Sequence, residues 1–377
     1  MRIDPIELSR ELISFNTINP PGNELRCILH LERILSGAGL ETSLQEFAPG
    51  RANLIARVGA VGSKLPLCFT GHVDTVPLGN ASWSVDAFAG EIIDGKMYGR
   101  GSSDMKCGVA AFVAAIGNMA KELEGTSGAV LVITAGEEIG CEGAFHLIRA
   151  GILGRAGAIV VAEPTSNAAL VGHKGALWLR LTLKGVTAHG SMPHLGVNAA
   201  YKAARVLTAL ETFQFNVAPH AYLGSPTLNV GTVHAGLNVN SVPDLAEIGI
   251  DIRSIPGLDH SRIQEHLRAE LGEDISLEPT VDLGAVWTNP ALPWIKEVYQ
   301  IVCDVTGEDG GSEPRTAPYF TDASALTPAF GNPPTIILGP GEAAKAHQTD
   351  EYCSVERIRD ASDVYSRLAA RWAGTSE

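Results

Sequence analysis

Short apolar runs alternate with segments of helical periodicity along most of this 377-residue chain, and this alternation constrains the fold more than any other feature. The apolar runs have the length of single buried strands. They lie at residues 52–58, 66–71, 129–136, 158–164 and 335–339. Strands that alternate with helices build a mainly parallel sheet, because each helix returns the chain to the same end of the sheet. The sequence therefore predicts an α/β fold with a mostly parallel sheet covered by helices.

The pattern changes between residues 175 and 285. Residues 177–185 alternate apolar and polar side chains at period two, and the following segments read helix, strand, strand, helix, strand. This order is that of the ferredoxin-like split unit, which forms a compact α+β layer of its own. We therefore expect residues 1–174 and 286–377 to form one α/β domain, into which residues 175–285 are inserted as a second domain.

Composition excludes several classes of partner. The formal net charge is −14 at pH 7, and nucleic acids and anionic membranes both require clustered lysine and arginine. No uncharged apolar stretch reaches about 18 residues, and the N-terminus lacks the pattern of a signal peptide. The six cysteines are scattered without a CxxC pair, which is typical of a protein in the reducing cytoplasm. We therefore expect a cytoplasmic protein that binds neither nucleic acid nor membrane.

Candidate functional residues follow several of the predicted strands. Ligands of an open α/β sheet bind beyond the carboxyl ends of its strands, so polar residues at those ends are the first candidates for a site. The candidates are His72, Asp74, Asp104, Glu137, Glu138, Glu163 and His347. Most of them come shortly after a predicted strand, Glu163 lies at the end of the run 158–164, and Asp104 directly precedes a helix. The topology therefore predicts that carboxylates and imidazoles converge at one edge of the sheet.

Each candidate also has an ordinary structural interpretation. A single histidine after a strand is most often a hydrogen-bonded structural residue, and Asp104 could simply cap the helix that follows it. Adjacent glutamates such as Glu137 and Glu138 usually lie in solvated loops. A convergence of so many carboxylates, however, would be strongly repulsive unless cations lay among them. The whole set therefore favours a metal site over separate structural roles.

The types of donor indicate a centre of two divalent ions. Imidazole and carboxylate ligands without thiolates suit zinc. Two ions about 3.5–4 Å apart can generate a hydroxide near neutral pH and stabilise a tetrahedral intermediate. One carboxylate must remain free to carry protons. Because Glu137 and Glu138 are adjacent, one of them can bind metal while the other faces the water.

Seven segments together resemble the co-catalytic zinc amidohydrolases. They are GHVDTVP, YGRGSSDMKCGVAAF, TAGEEIG, AEPT, TAHGSMP, NSVPD and LGPGEAAKAHQTDEY, and they occur in order over nearly the whole chain. That family includes acetylornithine deacetylase, succinyl-diaminopimelate desuccinylase, aminoacylase and glutamate carboxypeptidase. HKG (173–175) and the last of the seven segments look most like acetylornithine deacetylase. The resemblance implies a zinc-exopeptidase-like catalytic domain, a lid and dimerisation domain, and hydrolysis of a small N-acyl amino acid.

The resemblance also implies a role for each candidate in the α/β domain. The metal ligands would be His72, Asp104, Glu138, Glu163 and His347. Asp104 would bridge the ions, and the peptide bond from it to Met105 would be cis. Glu137 would be the general base, and Asp74 would hydrogen-bond the far nitrogen of His72 and so orient that ring. Two zinc ions are the expected cofactors, with cobalt or manganese as alternatives.

The inserted domain would contribute residues that contact substrate. His189 in TAHGSMP matches the lid histidine that polarises the scissile carbonyl in the partner subunit, and Asn240 in NSVPD matches a lid asparagine near the same site. Arg253 in DIRS is a candidate for binding a free substrate carboxylate, since its fork suits that group. The resemblance therefore implies a homodimer formed through the lid domain.

Other functions remain open to the sequence. GPGEAA (339–344) mimics a dinucleotide-binding fingerprint, but a lone fingerprint near the C-terminus is a weak signal. No G-x-S-x-G elbow of a serine hydrolase occurs, and a non-catalytic binding protein would not need every candidate ligand together with Glu137. A dipeptidase or carboxypeptidase of the same family, or a hydrolase of an unusual amide or aryl amine, remains an alternative. TDASAL (321–326) differs from the usual pattern of the desuccinylase, which counts against that specificity.

Overall fold

A computed structural model describes residues 2–59, 61–272, 274–307 and 313–375. The chain divides into two compact units. Unit 1 comprises Met1–Gly172, Trp287–Thr316 and Thr321–Glu377, and unit 2 comprises His173–Val286 and Ala317–Phe320. Among the described residues, no helix has both the length and the apolar character required to cross a bilayer.

The regular elements alternate along the chain as the apolar periodicity predicts. The helices are α1 (Pro5–Ser14), α2 (Leu25–Gly37), α3 (Cys107–Asn118), α4 (Ala120–Leu123), α5 (Glu142–Ala150), α6 (Ala199–Glu211), α7 (His260–Leu271), α8 (Pro293–Thr306), α9 (Ala323–Ala329) and α10 (Val355–Ala373). The strands are β1 (Glu41–Ala48), β2 (Arg51–Val58), β3 (Leu67–His72), β4 (Ile92–Ile93), β5 (Lys96–Tyr98), β6 (Ala129–Thr134), β7 (Ala158–Val161), β8 (Leu170–His173), β9 (Gly175–Lys184), β10 (Thr227–Ala235), β11 (Leu245–Ser254), β12 (Ile275–Leu283), β13 (Val286–Trp287), β14 (Arg315–Ala317), β15 (Thr335–Ile337) and β16 (Tyr352–Ser354).

The large sheet has the order β1-β2-β6-β3-β7-β15-β8-β13, with β14 paired to β8. Its central strands β6, β3, β7 and β15 are parallel, whereas β1 and β2 extend one side in antiparallel pairing and β8 pairs antiparallel to β15 on the other. β3, β6 and β7 are buried along their whole length, as strands covered on both faces must be. The predicted α/β fold with a mostly parallel sheet is confirmed.

The helix expected directly after Asp104 begins later than the sequence indicates. α3 starts at Cys107, because the backbone at Asp104 and Met105 is not helical (φ −123°, ψ 93° and φ −136°, ψ 29°). The Asp104–Met105 peptide bond is cis, which confirms that prediction. α3 is buried from Cys107 to Ile116, so its apolar residues surround the helix instead of forming one stripe. The turn that carries Asp104 is therefore followed by a helix that is buried over most of its length.

Unit 2 contains a four-stranded antiparallel sheet in the order β10-β11-β9-β12, with α6 and α7 packed on it. In chain order its elements are β9, α6, β10, β11, α7 and β12. β11 alternates buried and partly exposed residues at period two, as expected for a strand with one covered face. The predicted split α+β arrangement is therefore present. β10 is an edge strand and is largely exposed.

Candidate metal centre

Four adjacent parallel strands place the candidate ligands of unit 1, apart from Asp104, at one edge of the sheet. His72 is the last residue of β3, Glu137 and Glu138 lie in the loop after β6, and Glu163 follows β7 by two residues. His347 lies in the loop after β15. Because β6, β3, β7 and β15 run parallel side by side, their carboxyl ends meet at the same edge. The sheet thus brings together residues that are up to 275 positions apart in the sequence, from 72 to 347.

The five candidate ligands form two groups that share Asp104. One group is His72, Asp104 and Glu163, and the other is Asp104, Glu138 and His347. Within each group the candidate donor atoms lie within 4.8 Å of one another. Such a spacing of nitrogen and oxygen donors is what a single divalent cation requires at the centre of each group.

Asp104 presents a different carboxylate oxygen to each group. Its Oδ1 lies 3.2 Å from His72 Nε2, and its Oδ2 lies 3.3 Å from His347 Nε2. On the first side, Glu163 Oε1 lies 3.7 Å from His72 Nε2. On the second side, Glu138 Oε2 lies 3.1 Å from His347 Nε2. A carboxylate placed in this way can bridge two cations.

Glu138 provides an independent test of whether the site fits a metal. Its Oε1 atom is buried and has no hydrogen-bond partner among the described residues. A buried carboxylate oxygen without a partner costs free energy, and a bound cation would remove that cost. The donor set contains only imidazole nitrogen and carboxylate oxygen, which are normal ligands of zinc and related divalent ions. The residues therefore fit a two-metal centre.

The imidazoles and the shared carboxylate stabilise one another's charges. Burial opposes the imidazolium of His72, but hydrogen bonds with Asp104 and Asp74 hold the pKa of His72 well above its ordinary value. The pKa of His347 is raised to about 10, chiefly by hydrogen bonds with Asp104 and Glu138. Burial alone would raise the pKa of Asp104, yet the hydrogen bonds from His347 and His72 lower it. The positively charged form of both imidazoles is thus favoured next to Asp104.

The pKa values of the three glutamates of the site are raised, in contrast to the lowered pKa of Asp104. Burial raises the pKa of Glu137 and of Glu163 well above the usual range, and it raises the pKa of Glu138. Neighbouring carboxylates add to each shift, since Glu163 and Glu138 act on Glu137 and Asp104 acts on the other two. Ionisation of all four carboxylates in this buried cluster is therefore unfavourable without added positive charge.

Asp74 contacts both His72 and the loop that carries Glu137 and Glu138. The nearest acceptor of His72 Nδ1 is the backbone oxygen of Asp74 at 3.0 Å, with its carboxylate Oδ1 at 3.4 Å. The carboxylate also accepts hydrogen bonds from the backbone nitrogens of Glu137 (3.2 Å) and Glu138 (3.3 Å) and from Asn19 Nδ2 (3.0 Å). With Nδ1 directed at Asp74, His72 presents Nε2 to Asp104. Asp74 thus connects β3 to the loop that carries both glutamates.

The candidates of unit 2 have local partners. His189 and Ser241 form an isolated bridge, and the backbone oxygen of Asn240 accepts a hydrogen bond from Gly190 N at 2.7 Å, so His189 and Asn240 are neighbours. Arg253 donates from Nε and Nη2 to Asp251 Oδ2 at 3.1 and 3.0 Å. The Arg253 fork thus already engages an internal carboxylate.

Unit 2 also contains a serine, a histidine and an aspartate in a row. His260 Nε2 lies 2.7 Å from Ser254 Oγ, and His260 Nδ1 lies 2.6 Å from Asp282 Oδ1. Ser254 is only 1% exposed, and a Cβ atom added at Gly175 would lie 2.4 Å from its hydroxyl. A nucleophile must reach its substrate, so this row is better explained as a structural link between β11, α7 and β12.

Two residues near the metal groups were not identified as candidates from the sequence. Arg100 and Glu351 form a buried ion pair, with Arg100 Nη1 2.6 Å from Glu351 Oε2, and Glu351 accepts hydrogen bonds from the loop that carries Asp104. Both lie inside the quoted segments YGRGSSDMKCGVAAF and LGPGEAAKAHQTDEY. Their position in those segments was the available signal, but neither has a spacing that identifies a ligand.

Comparisons with known proteins identify a family and a fold for this chain. Residues 68–371 match the family model described as peptidase family M20/M25/M40. The chain is 31% identical to a succinyl-diaminopimelate desuccinylase of Cereibacter sphaeroides, with 98% of each chain covered. It is 30% identical to an acetylornithine deacetylase of Myxococcus xanthus, covering 97% of this chain and 96% of that one. A solved M20 family metallo-carboxypeptidase from Sulfolobus solfataricus superposes with a TM-score of 0.79 at 18% identity, covering 98% of this chain and 99% of that one.

Proposed function

The chain belongs to peptidase family M20/M25/M40, and from this membership and the paired donor groups we propose that it is a metal-dependent amidohydrolase. Its substrate would be a small N-acyl amino acid with a free carboxylate, cleaved at the amide bond. The observation that carries the proposal is the position of Asp104, which offers one oxygen to each of two donor groups. A binding protein would gain nothing from a shared carboxylate placed beside an additional buried glutamate, Glu137.

The names of the relatives support an acyl amino acid as the substrate class. Two relatives that align over nearly the whole chain are named succinyl-diaminopimelate desuccinylase and acetylornithine deacetylase. Both names describe removal of an acyl group from an amino nitrogen. A dipeptidase or carboxypeptidase, or a hydrolase of an unusual amide or aryl amine, would use the same centre and is distinguished by the substrate test below.

The proposed cofactors are two divalent ions held by His72, Asp104, Glu138, Glu163 and His347. Zinc is favoured because the donor set combines imidazole and carboxylate without thiolate, and cobalt or manganese can occupy similar sites. When bound, such ions polarise the substrate carbonyl and lower the pKa of water near them. The residues of the chain then have to orient the substrate and move protons.

Glu137 is the residue proposed to move protons. It is buried, and it interacts electrostatically with Glu163 of one donor group and Glu138 of the other, yet it belongs to neither group. Its backbone nitrogen is anchored on Asp74, so its position depends on the same aspartate that contacts His72. In this role Glu137 accepts a proton from the attacking water and returns it to the nitrogen of the leaving amine.

His189 is proposed to donate a hydrogen bond to the developing oxyanion. Its Nδ1 accepts a hydrogen bond from Ser191 N at 3.2 Å and contacts Ser191 Oγ at 2.7 Å. A neutral imidazole whose Nδ1 accepts must carry its proton on Nε2. Ser191 therefore selects the tautomer in which the outer nitrogen of the exposed ring is a donor. Asn240, its neighbour, and Arg253 are proposed to contact the substrate.

We further propose that the two units have different roles and that unit 2 forms the interface between two subunits. Unit 1 holds the metal centre, and unit 2 would serve as the lid and dimerisation domain. β10 lies at the edge of its sheet, and Leu237 and Val239 just beyond it are fully exposed apolar side chains. Edge strands and exposed apolar residues are common at interfaces between chains.

Six free thiols support a reducing, cytoplasmic location.

Replacing His189 with alanine should lower kcat by about 10²–10³-fold with little change in KM, because the contact strengthens in the transition state. His194, an exposed histidine three residues after Ser191, provides a matched control. His194→Ala should retain near-normal turnover. Steady-state kinetics of the two variants on the same substrate separates a role of this ring from general disturbance of the segment.

Mixing two inactive variants tests whether His189 acts across a dimer. Hybrids of His189→Ala and Glu137→Gln would contain one site with both residues intact if the histidine acts in trans. Activity should reappear after subunit exchange, which mass spectrometry of differently labelled chains can verify. Verified exchange without recovered activity would show that His189 does not serve the partner's site.

A substrate panel tests the proposed function itself. Zinc-loaded protein should hydrolyse at least one N-acetyl or N-succinyl amino acid, with chromatography of the released amine as the measurement. The panel should include N-acetylornithine, N-succinyl-diaminopimelate, several N-acetyl amino acids and dipeptides. Methyl esters of the best substrate serve as controls and should react poorly, because the free carboxylate is lost. Hydrolysis of dipeptides alone would instead favour the peptidase alternative.

A further inference from the structure

The pair of Arg100 and Glu351 is one of the most deeply buried ionic contacts among the described residues. Both side chains are 1% exposed, and Arg100 Nη1 lies 2.6 Å from Glu351 Oε2. Removing two charges from water is costly, and a buried pair adds little stability unless further hydrogen bonds satisfy it. The additional contacts of Glu351 therefore indicate what the pair accomplishes.

Glu351 accepts three backbone hydrogen bonds from the turn that carries Asp104. Gly101 N donates to Oε2 at 3.1 Å, and Ser103 N and Asp104 N donate to Oε1 at 2.8 and 3.0 Å. Both carboxylate oxygens are thus used, and one of the donors is the backbone of Asp104 itself.

Further contacts join the same turn to the segment that carries His347. Ser103 Oγ donates to the backbone oxygen of Tyr352 at 2.6 Å and accepts from Glu342 N at 3.0 Å. Gly99 N donates to the backbone oxygen of Glu351 at 2.9 Å. Asp104 and His347 belong to the same donor group, so the packing of these two segments sets the distance between two candidate ligands.

The segment around His347 adopts a backbone that needs external support. His347 has φ 64° and Asp350 has φ 59°, values in the left-handed region that residues other than glycine rarely adopt. Such conformations persist only where surrounding contacts enforce them. Glu351 follows Asp350 directly, and its side chain fastens this end of the segment to the Asp104 turn.

We propose that Arg100 and Glu351 are positioning residues for the metal centre. Glu351 fixes the Asp104 turn against the His347 segment, and Arg100 holds the carboxylate of Glu351 in position. The pair would thereby control how tightly metal is held, without contacting the reacting atoms. This inference rests on the proposed metal-dependent function, because it assigns the pair to that centre. Partners that orient metal ligands typically contribute about 10–100-fold to metal affinity.

Glu351→Gln tests the proposal with a variant of nearly the same shape. The substitution replaces one of the two acceptor oxygens by an NH₂ group. That group would face backbone N–H donors and could not accept their hydrogen bonds. Competition with a chromophoric chelator should show zinc affinity weakened by about 10–100-fold. At saturating zinc the variant should recover at least about a third of the wild-type kcat, because a positioning residue does not take part in the chemistry.

Glu24→Gln provides a matched control. Glu24 also forms a buried pair with an arginine, with Arg51 Nη2 2.8 Å from Glu24 Oε1, and its contacts do not involve the Asp104 turn. This control should lower the urea midpoint as much as Glu351→Gln does, while its zinc affinity stays within about threefold of the wild type. An equal loss of zinc affinity in both variants would overturn the proposal, since any buried pair would then have the same effect.

Amide hydrogen exchange of metal-free protein supplies a readout that requires neither metal nor activity. In Glu351→Gln the amides of Ser103 and Asp104 should exchange at least tenfold faster than in wild type, whereas amides in the centre of α3 should change as they do in Glu24→Gln. Unchanged exchange at Ser103 and Asp104 would overturn the proposal. This outcome does not depend on zinc binding, whereas a wild-type protein that fails to bind zinc would contradict the proposed metal-dependent function. Arg100→Lys, which keeps the charge, replaces Glu351→Gln in both measurements if the latter does not fold.

Discussion

Glu137→Gln should lower kcat by about 10²–10⁴-fold while the protein still binds two metal ions. The substitution preserves the shape of the side chain but removes its ability to accept and return a proton. Glu137 is buried and belongs to neither donor group, and Asp74 anchors its backbone, so the change should leave the metal positions intact. Steady-state kinetics combined with elemental analysis of the same preparation measures both properties.

Glu138→Gln provides the contrast for this experiment, because the two glutamates are adjacent and chemically identical. Glu138 Oε2 lies 3.1 Å from His347 Nε2, and its Oε1 has no hydrogen-bond partner in the described part of the chain. Loss of this carboxylate should therefore release metal, with lower zinc content as the first sign. If Glu137→Gln loses metal while Glu138→Gln retains two ions and loses turnover, the roles of the pair are exchanged.

Removal of the metals should abolish hydrolysis altogether, which is the largest effect expected for any change to this protein. Four carboxylates converge on the site, and burial together with mutual repulsion raises the pKa of each of its three glutamates. Asp104, in contrast, is held ionised between two imidazoles. Without metal ions, the charge of the carboxylates can be balanced only by bound protons or by the imidazolium rings of the histidines. Neither activates an amide for hydrolysis. The residual activity of metal-free protein should therefore be undetectable.

The elements that bury one face or both faces were predictable from the sequence. α7 (His260–Leu271) and α8 (Pro293–Thr306) are examples, because each has a start signal and a clear apolar stripe. β1 was missed because ETSLQEFA has few apolar residues and is mostly exposed or half-buried. The short β8 (Leu170–His173) lies next to unit 2 in the sequence and has no length or flanking signal that separates it from a loop.

The convergence of candidate ligands followed from topology, whereas their supporting contacts did not. Placing polar residues at strand ends was sufficient to predict that His72, Glu138 and Glu163 would meet. The double use of Asp74 depends on two backbone N–H groups, and such donors leave no trace in residue identity. Glu351 was overlooked for the same reason, since its partners are mainly backbone atoms of a turn about 250 residues earlier, which the sequence does not show.

Counting metal ions while measuring activity tests the central claim most directly. Purified protein should be depleted with a chelator, checked by elemental analysis, and assayed on its best substrate while zinc is added back in steps. Activity should be absent at the start and reach its maximum near two zinc ions per chain, and cobalt or manganese should also restore it. Full activity in protein that elemental analysis shows to be free of metal would contradict the two-metal account.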